Sequence, residues 1–392
     1  MRSTKIHHAK HTNLMRILSL LFLAFLSLSN VLGQTKSEAI TIGLKHQINS
    51  VILHENREYW VYLPADYEQS KYHYPVLYLL DGQEHFHQVT GLVNHLSRLV
   101  QRMPRTIVVG IVSSSKDRVR DYTPNPIEVL PNGGGADQFT RFLKTELIPQ
   151  IENNYRTNDC RLLFGHSLAG VYVNYVYTRY NTLFDSYFAA DPAIFVDSTI
   201  AQNLKVFITS HNTIRSHYYL TVSGLVDSTT IVPNVELNTF IQSNYADKLN
   251  WNYQFYPHED HVSMTLKAIY DGLEKRYSDY KIPIDYLYTY NLEGIQQHIV
   301  NNENNYNCTV ALPEQLINEY AMHFCFKNKY KEALQLLQLN LKHYINPYET
   351  YYFMGEVHRL QGNTNKALHY YEKSLAIDEF EDVKAKIMKL KN

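Results

Sequence analysis

The chain has 392 residues, 45% of them hydrophobic, and 37 Lys and Arg balance 38 Asp and Glu. This length suits one large domain and a small one, and the near-zero net charge without long basic blocks excludes nucleic acid as a main partner. The 33 tyrosines suit an extracytoplasmic protein that meets carbohydrate or aromatic ligands.

The first residues read as a targeting segment. Arg2, Lys5, Lys10 and Arg16 form a basic start, Ile17 to Leu28 is an apolar run broken only by serines, and Val31-Leu32-Gly33 offers small residues for a signal peptidase. Residues 1–33 are therefore expected to be a signal peptide cleaved before Gln34. The alternative, an uncleaved anchor, is disfavoured because the run is short for a spanning helix. The expected location is periplasmic or secreted, with no stable membrane anchor after cleavage. Of the three cysteines, Cys160 reads as a buried thiol, and Cys308 and Cys325 could pair in an oxidising compartment.

From Arg57 to about Arg276, strand-length apolar runs alternate with helix-patterned segments. The expected strands are Tyr59–Leu63, Val76–Leu80, Ile107–Val112, Arg161–Phe164, Tyr187–Ala190, Tyr218–Val222 and Asn252–Tyr256. Near-continuous runs such as Val76-Leu77-Tyr78-Leu79-Leu80 predict central strands buried on both faces. Asp137–Asn153 predicts a helix, with Phe139, Phe142, Leu143 and Leu147 spaced by three and four. The fold class is α/β: a doubly wound, mainly parallel sheet over 34–285, with sites at the carboxyl ends of its strands. The Ser-, Asn-, Pro- and Gly-rich segment 113–135 is expected to be a long loop bordering the site.

Beyond a helical linker at 286–310, residues 311–392 change in kind. Pro313 and Pro347, Ala321 and Gly355, and Ala333 and Ala367 are each 34 residues apart. Small residues at that period, where paired helices cross, are the tetratricopeptide pattern, and two units are expected to pack against the larger domain.

The chemistry centres on Gly165-His166-Ser167-Leu168-Ala169-Gly170. A serine between small residues, after a strand and before a helix, is the context of a nucleophile elbow, although Ala169 stands where a glycine is usual. In this fold the chain order is serine, acid, histidine. His261, in the loop after Asn252–Tyr256, is the candidate base, and His258 competes with it. Asp227, after Tyr218–Val222, is the candidate acid; Glu236 is a second candidate, and Asp191 is read as shaping the pocket. Backbone N–H groups of Leu168 and of Gly82 or Gln83 would form the oxyanion hole, Gly82 letting the backbone approach the substrate. A His-x-x-His metal site lacks an evident third ligand, so no cofactor and no metal are expected.

Five segments occur in order: Tyr78-Leu79-Leu80-Asp81-Gly82; Arg120-Asp121-Tyr122-Thr123-Pro124; Gly133-Gly134-Gly135-Ala136-Asp137 leading to Glu146-Leu147-Ile148-Pro149; the elbow; and Glu259-Asp260-His261. Together, over roughly Lys45 to Lys281, they resemble the Putative esterase family of α/β hydrolases, which includes esterase D and the ferric-enterobactin esterases. The resemblance implies an α/β-hydrolase fold, Ser167 and His261 as nucleophile and base, and Asp227 as an acid that varies among members, some of which work with a serine–histidine pair alone. It implies an exported carboxylic ester hydrolase acting on a siderophore lactone or a feruloyl or acetyl carbohydrate ester. Two alternatives stand beside it: a binding protein using the helical repeats on a degenerate hydrolase domain, with a protein partner, and an acyltransferase. Arg118 and Arg120 could meet an anionic substrate but read as solvated.

Overall fold

A computed structural model describes residues 39–391 apart from 212, 307, 308, 310, 311 and 380. The expected signal peptide and Cys308 lie outside the described residues; Cys160 and Cys325 are both buried. No helix among the described residues is long and apolar enough to cross a membrane.

Eight strands form one sheet: β1 (Leu44–Ser50), β2 (Glu55–Tyr62), β3 (Tyr74–Leu79), β4 (Ile107–Ile111), β5 (Thr157–His166), β6 (Ser186–Ala190), β7 (Ile214–Ser223) and β8 (Leu249–Tyr256). Their order is β1-β2-β4-β3-β5-β6-β7-β8. From β4 to β8 neighbours run parallel; β1 and β2 pair antiparallel at one edge. The sheet and its flanking helices match the expected α/β-hydrolase fold, and all seven expected strands are present. β1 was not expected: its sequence Leu-Lys-His-Gln-Ile-Asn-Ser is largely polar and mostly exposed at the edge, so it lacks the apolar signal of an interior strand.

Every residue of β3, β4 and β6 is buried, because helices cover both faces. Successive side chains point to opposite faces. Val76, Tyr78 and Leu80 enter one core with Phe139, Tyr172 and Val173, whereas Leu77 and Leu79 enter the other with Phe86, Ile269 and Leu273. The expected helix over Asp137–Asn153 is helix Ala136–Phe142, a π-helical segment Leu143–Leu147 and helix Ile148–Asn154 in continuous succession. The expected loop 113–135 instead contains a helix, Ser115–Tyr122, whose start is capped by the Ser114 hydroxyl accepting from Asp117 N.

The carboxyl-terminal region is all helical. Short helix Ile284–Tyr288 and helix Leu292–Tyr306 lead to helices Glu314–Cys325 and Tyr330–His343, and helices Tyr348–Leu360 and Thr364–Leu375 begin 34 residues after that pair. Helix Glu381–Lys391 ends the described chain. Ala321, Ala333 and Ala367 are fully buried, and a Cβ at Gly355 would lie 2.5 Å from the Tyr371 ring.

This region docks on the segments that enter β3 and β5, at the amino ends of the parallel strands. Lys71 N donates to His343 O at 2.7 Å, Ile345 N to Gln69 O at 2.8 Å, and Asn158 Nδ2 to Thr309 O at 3.1 Å. The Tyr72 ring stacks on His343 and meets Tyr344 edge-on. Tyr344 is buried, and its hydroxyl donates to Leu312 O and accepts from Glu314 N. Removing this ring empties the joint. Tyr344→Ala should lower the free energy of urea unfolding by about 3–5 kcal/mol; a loss below about 1 kcal/mol would contradict this account of the docking.

Candidate active site

The catalytic candidates lie at the opposite, carboxyl ends of the strands. Ser167 follows β5 with φ 60° and ψ −118°, which bends the chain into helix Leu168–Arg179. Backbone bonds fix the bend: Ser167 N donates to Ala190 O at 2.9 Å, and Ser167 O accepts from Val171 N and Ala193 N, each at 3.2 Å. Small residues are needed at two points of close approach. A Cβ at Gly165 would lie 2.4 Å from Ala169 O, and one at Gly170 would lie 2.9 Å from Pro192 Cβ. Ala169 is itself fully buried, so the unusual residue of the motif fits without a glycine.

His261 follows β8, and its Nδ1 lies 2.7 Å from Asp191 Oδ2. An ionised carboxylate only accepts, so Nδ1 carries the proton and Nε2 is left free. Asp191 is fully buried at the end of β6 with φ 44°. Ser223, the last residue of β7, donates to it twice, through N at 3.1 Å and through Oγ at 2.5 Å. Burial pushes the Asp191 carboxyl upward, but the hydrogen bonds from His261 and Ser223 outweigh it and hold the group below its ordinary value.

Asp227 does not fill the place expected of it. It is exposed and caps helix Ser228–Tyr245, its Oδ1 accepting from Thr229 N at 2.8 Å, while the His261 nitrogen that an acid would hold is taken by Asp191. The second candidate, Glu236, is an exposed residue of the same helix. At the end of β7 the chain offers the hydroxyl of Ser223, which serves a carboxylate supplied one strand earlier. His258 is exposed. The sequence signal for Asp191 is an aspartate directly after the apolar run Tyr187–Ala190, a place where burial forces a carboxylate to find donors.

The loop that carries His261 is tied down on both sides. Gly224 N donates to Tyr256 O and Glu259 O, and a Cβ at Gly224 would lie 2.6 Å from Pro257 Cα. Asp260 Oδ1 accepts from Val262 N and Ser263 N, and Glu259 pairs with Lys267.

Leu168 opens the helix after Ser167, and Gly82 and Gln83 open helix Gly82–Asn94 after β3. The N–H groups of a first helical turn have no intrahelical acceptor, which makes these three donors the candidates for an oxyanion hole. Gln83 is held by a reciprocal pair with Ser113, through Nε2 to Ser113 O at 2.9 Å and from Ser113 N to Oε1 at 3.1 Å. The reason for glycine at 82 differs from the one expected. A Cβ there would lie 2.7 Å from the carbonyl carbon of Gly110, so glycine lets this turn close against β4. Asp81, with φ 52°, is buried and accepts from Arg118 Nε at 2.9 Å; Arg118 Nη2 also donates to His166 O at 3.2 Å. Arg120 is not a free surface arginine: it pairs with Glu55 and Asp121, and Asp121 pairs with Arg57. A separate cleft of about 520 Å³ runs along the flank of helix Leu168–Arg179 beside Asp137, Tyr175, Arg179 and Tyr180, and neither Ser167 nor His261 lines it.

Burial pushes the pKa of His166, next to Ser167 in the elbow, and of His217, on β7, down to about 3. Unfolded histidine titrates near 6.5. Below that pH the unfolded chain takes up protons that the folded chain refuses, so this stability is whole above about pH 6.5 and is lost as pH falls toward 3. Between about pH 6.5 and 5 the thermal midpoint should therefore fall, and less steeply in His217→Gln. An unchanged slope in that variant would contradict the assignment.

Residues 50–258, just over half the chain, match the family model described as Putative esterase. The ferri-bacillibactin esterase BesA of Bacillus subtilis (strain 168) is 32% identical over 166 residues, 36% of this chain; the chain spans 55% of that relative's length. An IroE-like serine hydrolase from Shewanella oneidensis superposes with a TM-score of 0.69 at 24% identity, over 76% of this chain and 99% of its own. An uncharacterised protein from Capnocytophaga ochracea DSM 7271 aligns over 89% of this chain and 99% of its own, with a TM-score of 0.59 at 16% identity. These two likenesses speak to the fold, and the second extends into the helical region. With the family model spanning the strands that carry Ser167 and Asp191, the chain belongs to the Putative esterase family.

Proposed function

We propose that the protein is an exported serine esterase in which Ser167, His261 and Asp191 act as nucleophile, base and acid. The observation that carries this reading is the 2.7 Å bond between His261 Nδ1 and the buried Asp191 carboxylate, beside a serine held at φ 60°. His261 Nε2 takes the proton of Ser167 Oγ as that oxygen bonds to the ester carbonyl carbon. The oxyanion is held by Leu168 N–H with Gly82 or Gln83 N–H. His261 then gives its proton to the departing alkoxide, and the alcohol leaves. Water, deprotonated by the same nitrogen, attacks the acyl-enzyme; the acid departs and Oγ regains its proton. Asp191 stabilises the imidazolium in both halves and remains ionised.

A ferric siderophore ester is the proposed substrate class, supported by the sequence match to a protein named ferri-bacillibactin esterase. Export rests on the basic and apolar pattern of residues 1–33. The helix pairs that begin 34 residues apart support a tetratricopeptide-like module. Because it docks near the amino ends of the strands, substrate access is left to the loops at the carboxyl ends.

A fluorophosphonate probe should label the protein and should not label Ser167→Ala; labelling of that variant at the native rate would overturn the assignment. Asp191→Asn should lower kcat on short nitrophenyl esters by about 10⁴-fold, whereas Asp227→Asn should retain nearly full activity. The reverse ranking would restore Asp227 as the acid. In a panel of ferric trilactone siderophores and acetylated or feruloylated sugars, turnover should favour the siderophore; turnover of the sugars alone would overturn the substrate class.

A further inference from the structure

His166 has no place in the triad, yet its side chain joins the nucleophile's strand to the base's loop. Its Nε2 lies 2.6 Å from the backbone oxygen of His261. A carbonyl only accepts, so Nε2 carries a proton and donates it. The rings of His166 and His261 are 4.5 Å apart between centroids, and His85 meets the His166 ring edge-on at 5.9 Å. Arg118 holds the His166 carbonyl, so this residue is fixed from its backbone as well. Burial, and then the neighbouring His261 and His85, keep the imidazole neutral with its pKa pushed down to about 3. A group so placed is a constant donor and a poor base, since its one proton is committed to the carbonyl.

His261 is therefore gripped at two atoms, the ring Nδ1 by Asp191 and the main-chain oxygen by His166. The other ties of this loop act at Gly224, Glu259 and Asp260, and the His166 bond is the one that reaches the main chain of His261 itself among the described residues. We infer that His166 is a positioning residue for the base: its bond to the His261 carbonyl sets the loop so that the imidazole stays on Asp191 while Nε2 is presented to Ser167. The inference rests on reading Ser167 and His261 as nucleophile and base. Since His166 directly precedes Ser167 in the chain, the same bond also fixes the spacing between nucleophile and base.

The test compares His166→Ala with His166→Gln, whose side-chain amide can donate to the same carbonyl. One readout needs no turnover: the downfield proton resonance of His261 Nδ1–H in the resting protein, assigned by its loss in His261→Gln. The other is kcat and KM on p-nitrophenyl butyrate. The alanine variant should lose or broaden the resonance and lower kcat by about 10- to 100-fold with little change in KM, as expected for a misplaced catalytic group. The glutamine variant should recover the resonance and most of the rate. A resonance unchanged in the alanine variant, or a glutamine variant no better than alanine, would overturn the inference. If the resonance follows the prediction but kcat does not move, the positioning stands and His261 as the base is what fails.

Discussion

Three neighbouring strands, β3, β5 and β6, each end on a non-glycine residue forced into positive φ: Asp81 at 52°, Ser167 at 60° and Asp191 at 44°. Each such conformation costs on the order of 1–3 kcal/mol and persists only where its surroundings over-determine it. Here the surroundings are a row of bonds across the strand ends. Leu80 N reaches Phe164 O, Ser167 N reaches Ala190 O, Asp191 N reaches Thr221 O, and Gly224 N reaches Tyr256 O. Arg118 ties the ends of β3 and β5, and Ser223 ties the end of β7 to Asp191. A parallel sheet delivers adjacent chains to one edge, and the reversed dihedrals bend three of them abruptly at that edge.

The division of labour between the two ends of the sheet follows from this. The carboxyl end holds the strained turns and the charged or polar side chains, supported by ties on every side. The amino end is covered by the helical region, joined through Tyr72, His343 and Tyr344 and continuous with the core on one face of the sheet. That seat adds buried apolar area at the end of the sheet opposite the turns.

Much of this was legible in the sequence, for identifiable reasons. Interior strands announce themselves by apolar runs, and Val76–Leu80 could hardly be anything else. The elbow follows from small residues between a strand and a helix. Two of the five ordered segments proved structural: Glu146 accepts from Ser50, Val51 and Ile52 at the β1–β2 turn, and Tyr122 supports Ser113 and Asp81. What escaped was polar or three-dimensional. β1 is an edge strand without an apolar pattern. Asp227 stands in the usual chain order for the acid, but an aspartate two residues before Thr229 at a helix start is equally a cap, and spacing does not distinguish the two uses. Asp191 is recognised by its burial and its three donors, which only the folded chain brings together. His166 carries no signal beyond its place in the hexapeptide, because its partner is a backbone atom 95 residues away.

If these strand ends form a single reaction centre with Asp191 as its acid, a crystal structure of the protein phosphonylated at Ser167 will show it. The phosphoryl oxygen should lie within hydrogen-bond reach of Leu168 N and of Gly82 or Gln83 N, with His261 Nε2 facing the ester oxygen and Nδ1 still on Asp191. An adduct whose oxygen points away from those N–H groups, or whose His261 has turned from Asp191 to Asp227, would contradict the account.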